Sequence, residues 1–536
     1  MKRAIAGIMA LTLTAAVALT NVAATQAAGY HEYDMEDYVM QEMKAANIPG
    51  ISMSVVSDEK EIYSAAFGSG SDPEDDYVLG SLTQSMTALG ILRMVEDEEI
   101  SLKDPLSAYL SDYPKLQDVT IEELLTHTSG IPMSAMLNGR DLYVSDSAGK
   151  YEEAYANYNL LGEVIEEVSG ETYEEYITEN ILDPCEMSST FSLRQNPELH
   201  SQVKPTYQTI FGYPNKKQYE YHENQWARVS SGYMLSDVKD MGKYLQMYLK
   251  NDGEIMQKDS IVLAMQGEQA IQTSTATNGV FGGQEQYGMG WISTEVSGTQ
   301  IYYQLSFLEN TMSFMLLVPD KNAGIIMMFD EADYMVGRKM TKTICAGVTR
   351  ILLGEKPGHV KENSYLIQHG IIDVILLLLL IAAWMPIFLI GVWGKRVSRR
   401  FRVLRLLKDL LLHIALPTAL LILLPLYLGP WDVWLQFAPD IVYVVWAVIA
   451  SLYFGAVIKV LQWIVIMIRQ KLHAGETEEE MQDDPIRPVV KSDTGVVGNF
   501  TMIDPLDDEL TDDEEEVEEE IEMEEELESE EEELGD

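Results

Sequence analysis

The sequence predicts an α+β domain at 29–361, three transmembrane helices at 366–470 and a disordered acidic tail at 476–536. Three observations carry this reading. Strand-like runs stand at both ends of the first segment with helical patterns between them, as in one α+β domain whose sheet is closed by its two chain ends. Three apolar runs follow residue 365, each near or above the roughly 20 residues a membrane helix needs. The final stretch is so rich in Asp and Glu that it cannot bury enough apolar surface to fold alone.

Taken in order, residues 1–28 read as a secretory signal. Lys2 and Arg3 are followed by a mostly apolar run from Ile5 to Val22 and by small residues, with cleavage after Ala24 or Ala27. ISMSVVSD alternates apolar and small polar residues and predicts a half-buried strand, with EIYSAAFG as its hairpin partner. A helix starts near Ser81 and places Leu82, Met86, Leu89 and Leu92 along one face. A helix-rich middle follows and includes YNLLGEVIEEVSG. IYYQLSF, TMSFMLLVPD and AGIIMMFD read as consecutive strands with turns at Glu309–Asn310 and Lys321–Asn322.

The membrane runs are Gly370 to Trp393, Leu404 to Leu428 and Ile441 to Ile468. The loop at 394–408 is strongly basic and should face the cytoplasm, whereas the next, GPWDVWLQFAPD, has no basic residue. Arg469 and Lys471 follow the third run. This scheme makes a multi-pass cell-membrane protein with its first domain extracytoplasmic and its tail cytoplasmic, in agreement with the signal segment. Asp373 and Lys459 lie inside apolar runs, and Lys459 is expected to pair within the bundle or to reach the inner interface.

Charge and composition exclude several classes. More than half of the net charge of -48 comes from the tail beyond Glu476, while the membrane segment is net basic. No basic face suited to nucleic acid is visible outside the membrane-proximal loop. Cys185 and Cys345 are expected to be buried thiols, and the scattered histidines show no metal-ligand spacing, so neither metal nor other cofactor is predicted. The acidic tail offers a surface to a basic cytoplasmic partner or serves as a solvated spacer.

The stretch GSLTQSMTALG carries the chemistry. Ser81 would sit at a helix N-terminus, where unpaired N–H groups favour developing negative charge. Three residues on, in an S-x-x-K enzyme, a lysine helps take the serine proton. Here that residue is Gln84.

With these segments in place, the chain resembles the serine β-lactamase and penicillin-binding-protein superfamily, in its class C-like branch. The resemblance runs through IPGISMSVV, YVLGSLTQSMTALGILRMVEDEEISLKDPLSAYL, IEELLTHTSGIP, YANYNLLGEVIEEVSGETYEEYITENILDPCEMSST, SSGYMLSDVKDMGKYLQMYL and YGMGW, in that order. It implies an antiparallel sheet with a helical subdomain. It makes Ser81 the nucleophile, Tyr155 of Tyr155–Ala156–Asn157 a proton relay, and Asn157 a binder of the substrate amide. Gln304–Leu305–Ser306 stands where the family carries K-T-G or H-x-G. A glutamine thus replaces the basic residue and Ser306 the glycine. His127 of LLTHTSG would be a satisfied histidine beneath the site.

These substitutions predict a pseudoenzyme or weak hydrolase that binds a peptidoglycan-peptide or D-amino-acid-like ligand, or a protein partner, in the old cleft. One alternative is an active esterase, D-aminopeptidase or β-lactamase-like enzyme using Ser81 with Tyr155. Another is a membrane sensor acting through its helices and tail.

Overall fold

The computed structural model describes residues 32–482 apart from 69–70, 136–141, 220, 222–227, 267–268, 271–278, 283, 309 and 400–401. The expected signal segment, the expected tail beyond 482 and Glu309 of one expected turn lie outside the described residues.

The first half of the domain holds helix α1 (Glu32–Ala45), strands β1 (Gly50–Val56), β2 (Glu61–Gly68) and β3 (Tyr77–Val78), then helices α2 (Thr83–Glu96) and α3 (Tyr155–Ser169). Strands β4 (Phe191–Ser192), β5 (Thr206–Ile210), β6 (Tyr213–Lys217) and β7 (Met234–Ser236) lead to α4 (Val238–Lys250). Strands β8 (Gln269–Ala270), β9 (Gln286–Tyr287), β10 (Ile292–Val296), β11 (Thr299–Phe307), β12 (Met312–Val318) and β13 (Ala323–Phe329) precede α5 (Gly337–Leu352).

Eight strands form one antiparallel sheet in the order β2-β1-β13-β12-β11-β10-β9-β8. The two chain ends of the domain meet as the second and third strands of this order, where Ser54 pairs with Ile326 and Val55 with Ile325. Successive residues of β13 enter opposite cores. Ile325, Met327 and Phe329 pack with Met35, Val39, Ile344 and Val348 of α1 and α5, whereas Ile326 and Met328 pack with Met241 and Leu245 of α4. A strand covered on both faces reads as an unbroken apolar run, which explains AGIIMMF.

The same geometry corrects the expectation for β1. It is buried throughout, not half-buried. Ser54 faces α4, where a Cβ at Gly242 would lie 3.4 Å from its Oγ, so small side chains on both sides let helix and sheet approach closely, and Ser52 Oγ is 3.1 Å from Tyr77 Oη. Helix α2 is likewise buried almost all round rather than along one face, because it runs between the sheet side and the helical layer. Both cysteines are buried and free.

Beyond the domain come α6 (Ser364–Phe388), α7 (Ile390–Arg399), α8 (Arg402–Leu410), α9 (Leu416–Leu428), α10 (Trp431–Phe437) and α11 (Pro439–Gln482). Three stretches are long and apolar enough to cross a membrane: 364–388, 406–427 and 439–472. The segment expected as a basic loop at 394–408 is largely helical, in α7 and α8. The first residues of the expected disordered tail, Glu476 to Gln482, continue α11. Lys459 of α11 pairs with Asp409 of α8 at 3.4 Å and lies 5.5 Å from the centre of the Trp393 ring of α7. Trp393 Nε1 also donates to Asp409, so one polar cluster ties the three membrane segments together.

The domain is seated on the bundle through a polar joint. Gln208 Nε2 donates to the carbonyls of Leu435 (3.3 Å) and Gln436 (2.5 Å), and the Phe211 N–H donates to Asp440 Oδ2 at 3.1 Å. His369 of α6 meets Asp333, at the end of the sheet, with 2.6 Å between Nε2 and Oδ2.

Candidate active site

Ser81 lies in a single 3-10 turn, Gly80–Leu82, that feeds α2. Strand β3 delivers the chain to this turn, and Gly80 takes φ +56°, a conformation glycine adopts without strain. Ser81 is 1% exposed. Its hydroxyl is 3.0 Å from Tyr155 Oη and 3.4 Å from Glu153 Oε1. A serine hydroxyl has one proton, and a carboxylate only accepts. When Ser81 donates to ionised Glu153, the Tyr155 hydroxyl is therefore the donor to Ser81.

The backbone N–H of Ser81 is already used. It donates to Ser306 Oγ at 2.7 Å. Ser306 projects from β11 over the Gly80 turn so closely that a Cβ on Gly80 would lie 1.8 Å from its hydroxyl oxygen. In a family where glycine stands at this place, that N–H would be open to a substrate carbonyl. Here a side chain occupies it.

Gln84 is fully buried one turn below Ser81. Its Oε1 accepts from Tyr287 Oη at 3.1 Å and is 3.2 Å from His127 Nε2. The imidazole tautomer follows from the other side of the ring. His127 Nδ1 takes the Asn157 amide at 2.8 Å and the Ala154 N–H at 3.4 Å, so Nε2 carries the proton toward Gln84. Asn157 Oδ1 in turn accepts from Ser129 Oγ at 2.7 Å. Both polar ends of Asn157 are thus engaged inside the protein, beneath the position that the resemblance gives it against a substrate. Gln304, on β11, is buried and accepts the Leu305 N–H on its own Oε1 at 3.1 Å.

Burial pushes the His127 pKa down from 6.5 to about 3. The ring is neutral and is a satisfied histidine under the site. Between those values the unfolded chain binds a proton that the folded chain refuses, so stability is flat above pH 6.5 and falls on acidification through the window. Replacing His127 by Gln should flatten this dependence. Denaturant midpoints near about pH 7 and about pH 4.5 should show the native protein losing roughly 2–3 kcal/mol more than the variant. Equal losses would contradict a buried neutral imidazole.

Sequence reasoning brought Ser81, Tyr155, Gln84 and Ser306 to one place, and placed His127 beneath them. It missed Glu153 and Tyr287. Glu153 was within reach, two residues before Tyr155 in YEEAYAN.

A central antiparallel sheet with a serine at the head of the helix beside it defines a β-lactamase/transpeptidase-like fold. The chain belongs to the Beta-lactamase family, whose model matches residues 35–343. Protein flp of Staphylococcus aureus strain MRSA252 is 22% identical over 429 residues, covering 73% of this chain and 81% of the relative. For the protein of strain N315 the figures are 22% over 328 residues, 55% of this chain and 62% of the relative. Among solved structures, the octameric penicillin-binding protein homologue from Pyrococcus abyssi is 28% identical with a TM-score of 0.53, covering 60% of this chain and 78% of its own. A class C beta-lactamase shares the fold at 15% identity and a TM-score of 0.50, covering 61% and 96%.

Proposed function

We propose that this chain is a membrane-tethered, extracytoplasmic member of its family whose acyl-transfer chemistry is strongly impaired, and whose cleft binds a peptidoglycan-peptide or D-amino-acid-like ligand. One observation carries the reading: the Ser81 N–H donates to Ser306 Oγ at 2.7 Å. Stabilising the oxyanion of a tetrahedral intermediate requires donors free to meet it, and losing one costs roughly 10²–10³ in rate. Gln84 adds to this, because an amide cannot accept the serine proton at neutral pH. In the full-length protein, Ser81 should resist labelling by a fluorescent penicillin, and a muropeptide should raise the melting temperature of the domain. Labelling that vanishes in Ser81→Ala would overturn the impairment. No shift with any cell-wall fragment would remove the ligand.

A second reading is favoured by Glu153. Its carboxylate, 3.4 Å from Ser81 Oγ, would serve as base in place of the family lysine. A slow esterase acting through Ser81, Tyr155 and Glu153 predicts turnover lost in both Ser81→Ala and Glu153→Gln.

A further inference from the structure

The β5–β6 hairpin turns at Phe211–Gly212–Tyr213, and both aromatics of the turn are exposed, Tyr213 to 70% and Phe211 to 39%. The tip is nevertheless fixed. Besides the Phe211 bond to Asp440, Gly212 lies against His369, whose Cβ would be 2.9 Å from a Cβ added at the glycine. His369 and Asp440 stand at the domain-facing ends of the first and third membrane spans. The tip is thereby held at the level where those helices leave the apolar layer. Trp and Tyr concentrate at this level because an aromatic body with a polar tip suits the headgroup region.

Three lysines lie along the hairpin and beside its tip: Lys216 pairs across the hairpin with Tyr207 and Lys217 with Thr206, at the end away from the turn. Lys216 and Lys217 follow on β6, and exposed Lys44 lies in the last turn of α1. The end of α1 reaches the tip through Asn47, whose Nδ2 donates to the Gly212 carbonyl at 3.5 Å. Between α1, the edge strand β2 and the hairpin runs a groove of about 660 Å³, lined by Met40, Met43, Lys44, Phe67, Tyr207 and Pro214. It is mostly apolar and carries a lysine at its wall, on a domain whose net charge is otherwise strongly negative.

We propose that this face binds anionic phospholipid of the leaflet that faces the domain, with Phe211 and Tyr213 in the headgroup region, Lys44, Lys216 and Lys217 on lipid phosphates, and an acyl chain in the groove. The continuity with the membrane helices decides for lipid over another occupant, since the groove shares the hairpin that is bonded to their ends. Each lysine near a strongly anionic surface adds roughly fivefold to the attraction.

The test uses full-length protein in liposomes of phosphatidylcholine, with and without phosphatidylglycerol. Cys185 and Cys345 are buried, so a cysteine at Tyr213→Cys can be labelled selectively with an environment-sensitive fluorophore. The label should shift to the blue and be quenched by headgroup-spin-labelled lipid, relative to one at exposed Gln117→Cys. Phosphatidylglycerol should strengthen the quenching, and the added changes Lys216→Glu and Lys217→Glu should abolish that gain. Equal quenching at the two labels overturns the proposal. Equal quenching with and without phosphatidylglycerol overturns its anionic part. A blue shift without lipid quenching, rising with protein-to-lipid ratio, would put a second copy of the chain on the tip and overturn it as well.

Discussion

Combining Gln84→Lys with Ser306→Gly should convert Ser81 into a residue that fluorescent penicillin acylates, the largest functional change expected from two substitutions in this chain. The two act on different parts of the barrier. Glycine at 306 releases the Ser81 N–H, which now donates to a hydroxyl at 2.7 Å, and restores roughly 10²–10³. Lysine at 84 restores a proton acceptor one turn from Ser81, worth roughly 10²–10⁴. The pocket can admit it. The Nε2 proton of His127 would repel an ammonium, but moving that proton to Nδ1 and turning the Asn157 amide lets Asn157 Oδ1 accept from the ring and its nitrogen donate to Ser129 Oγ, with only the long 3.4 Å bond from the Ala154 N–H lost. Labelling should be measured in the native protein, both single variants and the double variant, each checked for melting temperature. A folded double variant that stays unlabelled would show that Ser306 and Gln84 are not what silences the serine.

Asp330→Ala should be the most destabilising single change in the domain. Asp330 follows β13 and is fully buried. It accepts from Tyr77 Oη at 2.6 Å, from Lys204 Nζ at 3.0 Å and from Ser71 Oγ at 3.2 Å. Removing one member of a buried ion pair strands the others away from water, at about 3–5 kcal/mol. Lys204 keeps Asp75 at 2.8 Å, which places the loss toward the lower end. Tyr77 starts β3, so the damage reaches the strand that sets the Ser81 turn. Chemical denaturation should show the loss, with Lys204→Met milder because it leaves the carboxylate its two hydroxyl donors. A shift under about 1 kcal/mol for Asp330→Ala would mean that this network contributes specificity rather than stability.

Much of the fold was legible because its signals are local. Strand runs at both ends of the domain, turn residues such as Asn322 and the apolar lengths of the spans each depend on a short window. Burial on both faces of β1 was not legible. Ser52 and Ser54 look like a solvent face until Tyr77 and the approach of α4 at Gly242 are known. In the site, the S-x-x-K spacing found Ser81 and Gln84, and the family resemblance added Tyr155 and Ser306. Neither could show that the Ser306 hydroxyl reaches the Ser81 N–H, because that contact joins residues 225 positions apart. Glu153 stood in view beside Tyr155, but its approach to Ser81 Oγ, across 72 positions, did not. Its meaning comes from what it faces across the fold.

The pairing of β1 with β13 also sets a timetable. Strand β1 is among the earliest parts of the domain to be synthesised, yet its partner in the register Ile51–Phe329 appears only when nearly all the domain has been made. Until then the central edge of β1 stays open, and the long loop between the partners must close before their contacts stabilise anything. Helix α6, the first membrane span, begins at Ser364, shortly after β13 ends. Closure of the sheet and entry of the first span into the lipid therefore fall almost together during synthesis. A ribosome pause placed between residues 329 and 364 should govern the yield of correctly folded protein more strongly than one placed earlier in the domain.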